Sequence, residues 1–404
     1  MLLWIASALA QDTRDPYGLA EALPSEHFVL RWGEGVLAED AQACLDELEL
    51  GWQVEVEELG FPEPTEAADW KLNVYVADSA PSAPGARGAR GYYARDDEGH
   101  PMLVLSAETV ADLEGNRGFT TAHELNHLLQ DGVDGPYVYG TGEPAAWLWE
   151  ATATWVDLHV HPSDTQAVDY AFGWTFFPDL PLDDFQYPDG VALEPYHAYG
   201  SFLFLEHLEL EEGPEAVLAL WTEADHPDPI EVLASQLDLP RLFAGFALRG
   251  AQLDFPEGPA YLAAHEQLRE RFADQDRRIE PLEEGDWEDW ELPGLASRHH
   301  VWTGEGDLRV RFEGDAEVAV LVKGEPVPLR SGDWLVEPGE AWLVAASSQG
   351  EPVAYSVRVD LGRACGCSTG ASPPALFLPA LLALAYTRRR MRSSSGWLRS
   401  RRRA

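Results

Sequence analysis

The string His123-Glu124-Leu125-Asn126-His127 restricts this chain more than any other part of it. Two histidines four apart face the same way only on a helix, so the string demands one. On that helix both imidazoles can reach one metal ion. Glu124, one step round, can take a proton from a water that the metal activates. The flanks agree. Gly118 and Thr120 mark a start and Gly132 a stop, and Phe119, Ala122, Leu125, Leu128 and Leu129 form an apolar stripe that docks the helix on a sheet.

The sheet is readable upstream. His27 to Trp32 and Trp70 to Val76 read as strands. Between them Ala38 to Leu59 reads as a helix with Ala41, Leu45, Leu48, Trp52 and Val56 on one side. Tyr92-Tyr93-Ala94 and Met102 to Ser106 flank a polar turn at Asp96 to Gly99, a hairpin signal. Met102 to Ser106 is the expected edge strand above the metal, where an extended peptide could pair through its main chain.

A zinc site needs a third protein ligand and an open position. The metzincin continuation is absent, because Gln130 and Val133 stand where Gly and His are required. An aspartate after Gly140-Thr141 is absent too, since the position holds Ala145. Glu150 remains, between Trp147, Trp149 and Ala151 on an apolar helix expected from about Glu143 to Val160, with Thr141 as N-cap. Here the sequence resembles the gluzincin metallopeptidases, the thermolysin-like class with HExxH and a glutamate from a following helix. The resemblance implies His123, His127 and Glu150 as Zn2+ ligands and Glu124 as general base. The residues point the same way, since an acid buried among tryptophans needs a cationic partner.

The pattern departs one turn further on, where Thr154 replaces an expected aspartate and leaves Asp157 as the candidate to orient a ligand histidine. Tyr199 is the candidate oxyanion stabiliser, with His197 beside it. His159 and His161 read as surface residues at a helix end.

The expected fold is α+β: a zincin-like metallopeptidase domain over 25–280, made of a small mixed sheet and helices, then a small all-β sandwich over 294–362. An acidic linker, Glu280 to Pro293, separates them. The periodicity then changes to two in Leu308 to Phe312, Val318 to Val322, Ala341 to Ala345 and Tyr355 to Leu361.

The termini carry addresses rather than fold. Residues 1–10 read as a signal peptide, apolar and ending Ala8-Leu9-Ala10. Residues 363–392 hold Cys365-Gly366-Cys367, an apolar run and an arginine cluster, and 393–404 is a basic extension. This order of parts resembles the MYXO-CTERM sorting signal of myxobacterial surface proteins. It implies export, C-terminal sorting and processing machinery as a partner, membrane contact through the apolar run, and display at the cell surface or release after processing.

The net charge of −42 repels nucleic acid, so that partner is excluded. Three cysteines are too few for a disulfide framework, and Cys44 reads as a small buried hydrophobe. The function these features favour is an exported zinc peptidase acting on a peptide or protein. A surface adhesion protein with a degenerate zincin domain is one alternative, which the intact Glu124 disfavours. An aminopeptidase-type exopeptidase is another, and it would need an acid to hold the free amine.

Overall fold

The first sheet follows from where the apolar strands fall. β1 (Glu21–Pro24) and β2 (Phe28–Trp32) form an antiparallel pair. Helix α1 (Ala38–Trp52) crosses over to β3 (Leu72–Val76), which lies parallel to β2. A hairpin of β4 (Gly91–Arg95) and β5 (Pro101–Leu105) completes a sheet of order β1-β2-β3-β5-β4. This corrects the expected edge. β5 is wholly buried and pairs with β3, while β4 is the edge strand. The uniformly apolar Pro-Met-Leu-Val-Leu suits an interior place, and Gly-Tyr-Tyr-Ala-Arg, half-exposed, suits a border.

The computed structural model describes residues 14–362 apart from 163–164, 189–190, 282–287, 303–306, 315–316, 323–324, 330–331, 337–340 and 349–351. The expected signal peptide at 1–10, sorting tail at 363–392 and extension at 393–404 lie outside the described residues.

After the sheet come α2 (Ala107–Val110), α3 (Arg117–Gly132), α4 (Ala146–Trp155) and α5 (Asp157–Val160). The helix expected from Glu143 with Thr141 as its cap starts instead at Ala146, and its N-cap Ala145 makes no side-chain cap bond. Gly140 and Gly142 adopt positive φ, 153° and 85°, and Pro144 keeps Glu143 out of helical space. The remaining helices are α6 (Phe172–Thr175), α7 (His197–Gly200), α8 (Phe202–Glu212), α9 (Pro214–Thr222), α10 (Pro229–Gln236), α11 (Leu239–Gln252) and α12 (Gly258–Phe272). Among the described residues no helix is long and apolar enough to cross a membrane.

The C-terminal part is all β. Its strands are β6 (Glu280–Pro281), β7 (Glu288–Leu292), β8 (Ser297–Trp302), β9 (Asp307–Gly314), β10 (Glu317–Val322), β11 (Glu325–Leu329), β12 (Gly332–Val336), β13 (Ala341–Ala346) and β14 (Val353–Gly362). They form two sheets, β11-β10-β13-β8-β6 and β12-β9-β14-β7. The His300 ring nitrogen on β8 meets the Tyr355 hydroxyl on β14 at 2.8 Å, joining the sheets. The acidic stretch 280–293 thus contributes strands β6 and β7.

The β layers share a core with the helices. Leu295, Val344 and Ala346 belong to the same buried cluster as Leu242, Phe246 and Ala247 of α11. The Ser297 N–H donates to the Pro178 carbonyl at 2.8 Å, and the Leu182 N–H to that of Leu295 at 3.0 Å. The described residues up to Gly362 form one compact unit of mixed α+β architecture.

Candidate metal centre

α3 and α4 carry the three expected ligands, and packing brings them together. His123 and His127 lie on one face of α3, and Glu150 is the only charged residue of the buried α4. One ligand atom from each lies within 4.8 Å of the others. His123 Nε2 and His127 Nε2 are 3.1 Å apart, and Glu150 Oε2 is 3.2 Å from the first and 3.6 Å from the second. Donors held about 2.0–2.1 Å from one tetrahedral ion stand about 3.3–3.4 Å apart, so this spacing fits such an ion. The group can hold a metal ion, and its donor set is of the kind zinc takes.

The surroundings hold the donors in a charged arrangement. Burial works to raise the Glu150 carboxyl, but hydrogen bonds and charge from the two imidazoles overcome it and hold the group far below its ordinary range. Burial works to lower His127, but Glu150 and Glu124 lift it to about 9. The hydroxyl of Tyr139 donates to Glu150 Oε1 at 2.6 Å, leaving Oε2 for the imidazoles. His127 Nδ1 meets Gln130 Oε1 at 2.8 Å, while His123 Nδ1 is buried with no hydrogen-bond partner among the described residues.

Glu124 stands beside the group, nearly buried. Burial pushes its carboxyl above the ordinary range; His123 and His127 pull the other way, Glu150 adds to the push, and the Tyr93 main chain on β4 pulls against it. β4 can come this close because residue 91 is glycine: a Cβ there would lie 2.9 Å from Glu124 Cγ. The edge of the sheet therefore runs directly past Glu124.

Tyr199 also reaches the site. Its ring stacks on the His123 imidazole with centroids 5.7 Å apart and planes 8° apart, and the Tyr170 ring stacks on Tyr199 with centroids 5.4 Å apart. Burial, with Glu150 next in effect, pushes the Tyr199 hydroxyl well above its ordinary range, so it stays a donor. His197 lies elsewhere: its ring nitrogens face the carbonyls of Gly173 and Pro181, at 3.1 and 3.0 Å. Asp157 orients no ligand histidine. Its carboxylate accepts from His161, Thr165 and the N–H groups of Gln166 and Ala167. His161 is not a free surface residue either, being pinned between Asp157 at 2.6 Å and Glu47 at 3.1 Å. His159 pairs with Glu209 at 3.1 Å.

The profile of a family described as a family of unknown function, DUF6055, matches residues 5–288. The chain belongs to DUF6055. The DUF6055 match covers the first sheet, both ligand-bearing helices and everything through α12, and it ends at Glu288, where β7 begins. No curated protein matches the chain.

Sequence reasoning missed Tyr139, Gly91 and Gln130. Gln130 was within reach, because three residues after His127 it must share that face of the helix. Tyr139 sits in a turn-rich link, and nothing local ties it to Glu150.

Proposed function

We propose that this DUF6055 member is a zinc-dependent peptidase of the gluzincin kind. The observation that carries the reading is the meeting of two imidazoles and one carboxylate, all from buried helices, beside Glu124 and a sheet edge. His123, His127 and Glu150 are the ligands. Zinc held there would acidify a water and polarise the carbonyl of the bond to be cut. Glu124 takes the proton from that water and passes it to the leaving amine. The Tyr199 hydroxyl donates to the carbonyl oxygen as charge develops on it. β4, as the border strand, offers its outer main-chain side to an extended peptide, which would then lie across Glu124.

The surroundings suggest which side chains enter. Tyr139, Trp149, Phe185 and Tyr187 pack edge to face beside Glu150, at centroid distances of 5.1 to 6.1 Å. Tyr139 and Tyr187 are exposed, so this wall is open to an apolar substrate side chain. Export and surface sorting by the C-terminal tail belong to the same reading, on the sequence of the tail alone.

The test is metal analysis with peptide digestion. The parent should bind about one zinc per chain and lose hydrolysis to a chelator. Glu124→Gln should keep the zinc and cut peptides at least roughly 100-fold more slowly, the scale of general-base loss. Parental cleavage by Glu124→Gln would remove the mechanism. Deleting residues 364–404 should release the protein from the cell surface, and unchanged retention would remove the sorting claim.

A further inference from the structure

A polar chain runs from the metal centre into the core, and the proposed mechanism does not use it. Gln130 Nε2 donates to Asn126 Oδ1 at 2.7 Å and to the Trp149 carbonyl at 3.1 Å. Asn126 Nδ2 donates to Glu55 Oε2 at 2.9 Å. Gln130, Asn126 and Glu55 are all buried, at 2%, 0% and 0% exposure. We propose that Gln130 is a positioning residue joining both ligand-bearing helices, and that Asn126 and Glu55 hold it in the one orientation that presents His127 to a metal. The inference rests on the metal-binding reading above.

The orientation follows from counting donors. Gln130 has two N–H bonds, and Asn126 and the Trp149 carbonyl take both. Its oxygen must therefore face His127 Nδ1, at 2.8 Å. That oxygen can only accept, so Nδ1 must carry a proton, which leaves Nε2 as the ring nitrogen whose lone pair a metal would take. Asn126 is fixed the same way, because its nitrogen is spent on Glu55 and its oxygen on Gln130. The Trp149 carbonyl belongs to the residue before Glu150, so one side chain sets a ligand on α3 and the backbone next to a ligand on α4. His123 has no such partner among the described residues. The two histidines are thus unequal, and His127 is the one that is aimed.

Glu55 closes the chain. It lies on a π-type turn, Gln53–Glu58, that continues α1, a form common where a helix serves a site. Burial pushes its carboxyl well above the ordinary range, with Asn126 pulling back. Its other oxygen, Oε1, is buried with no partner among the described residues, as suits a neutral acid better than an anion. A neutral acid that only accepts from Asn126 can be replaced by an amide, but not by a thioether.

Cobalt(II) titration of the metal-free full chain tests this, with chelator competition for affinity and the visible absorption band for coordination. Melting of the metal-free protein reports on folding in each variant. Gln130→Met should lower cobalt affinity by roughly 10- to 100-fold, the scale for losing the partner of a ligand histidine, and should shift the band. Glu55→Met should lower it by a smaller factor, and Glu55→Gln should keep the parental affinity and band. Parental affinity and band in both methionine variants would overturn the relay alone. Equal losses in Glu55→Gln and Glu55→Met would overturn the neutral-acceptor role of Glu55. A parent that takes up no cobalt would overturn the metal reading itself, and the relay with it.

Discussion

α3 and α4 are both sunk in the protein, but they bury different things. α3 carries Thr121, His123, Glu124, Asn126 and Gln130 among its buried residues, and supplies much of their bonding itself. Thr121 donates to the Arg117 and Gly118 carbonyls, and Gln130 reaches both His127 and Asn126. All ten residues of α4 are buried, and Glu150 is its single charge. Its own helix gives that carboxylate no donor: the partners are Tyr139 from a loop and the imidazoles of α3. A helix with a polar face can prepare its site internally. A helix with one buried anion depends on what tertiary packing brings to it.

The sharpest way to break this contrast is to take the charge out of α4. Glu150→Leu should reduce zinc affinity by at least roughly 1000-fold, because two imidazoles alone make a poor site. The metal-free protein should also melt lower than the parent, because the imidazoles of His123 and His127 stay buried without the carboxylate that pairs with them. Parental zinc affinity in a chelator competition would show that α4 carries no ligand.

Packing should be the point on which the helices agree. Leu125 on α3 and Leu148 on α4 are both fully buried. Each leucine-to-alanine change should lower unfolding free energy by about 2–5 kcal/mol in urea. A loss below about 1 kcal/mol at Leu148 would mean that α4 is not a core helix.

His161 couples the two regions, since it follows α5 and abuts α3, where a Cβ on Gly118 would lie 2.8 Å from its Nε2. Burial works to lower its pKa, but Asp157 and Glu47 raise it from 6.5 to about 9. Folding therefore favours the protonated ring. Its stabilisation is fully present below pH 6.5 and fades as pH rises through about 9. His161→Gln should lose on the order of 1–3 kcal/mol at pH 6 and much less at pH 10, read from paired urea melts. A difference independent of pH would assign His161 to packing alone.

The smallest effect tests the loop partner of α4. Tyr139→Phe removes the hydroxyl on Glu150 Oε1 and should weaken zinc binding by about 10-fold, near 1.4 kcal/mol. A larger loss than in Gln130→Met would make the loop hydroxyl, and not the Gln130 bridge between the helices, the stronger hold on the ligands.

The legible parts of the site were those with a local cause. His123, Glu124 and His127 follow from helical spacing, and Glu150 from an acid set among tryptophans on an apolar helix. Tyr199 was named and does stand against His123. Glu55 left a trace, since it falls three residues after Trp52 on the buried stripe of α1. The edge strand was misassigned because a hairpin sequence does not say which arm meets the rest of the sheet. The helix start at Ala146 was misplaced because Thr141 resembles a cap while the backbone of Gly140, Gly142 and Pro144 forbids one. Asp157 was misread because its carboxylate is taken up by the chain that follows it, His161 and the 165–167 turn, and turns back on its own segment rather than toward α3.

By itself the sequence determined the period of each element, the two histidines on one face, and the change from helices to strands after residue 280. Those are properties of neighbours in the chain, enforced by backbone geometry and by the separation of apolar from polar residues. Only the tertiary structure decided that β4 borders the site, that Tyr139 holds Glu150, and that Gln130 ties α3 to α4. These depend on directed hydrogen bonds between residues far apart in the chain, and pattern alone cannot orient a donor toward an acceptor it does not adjoin.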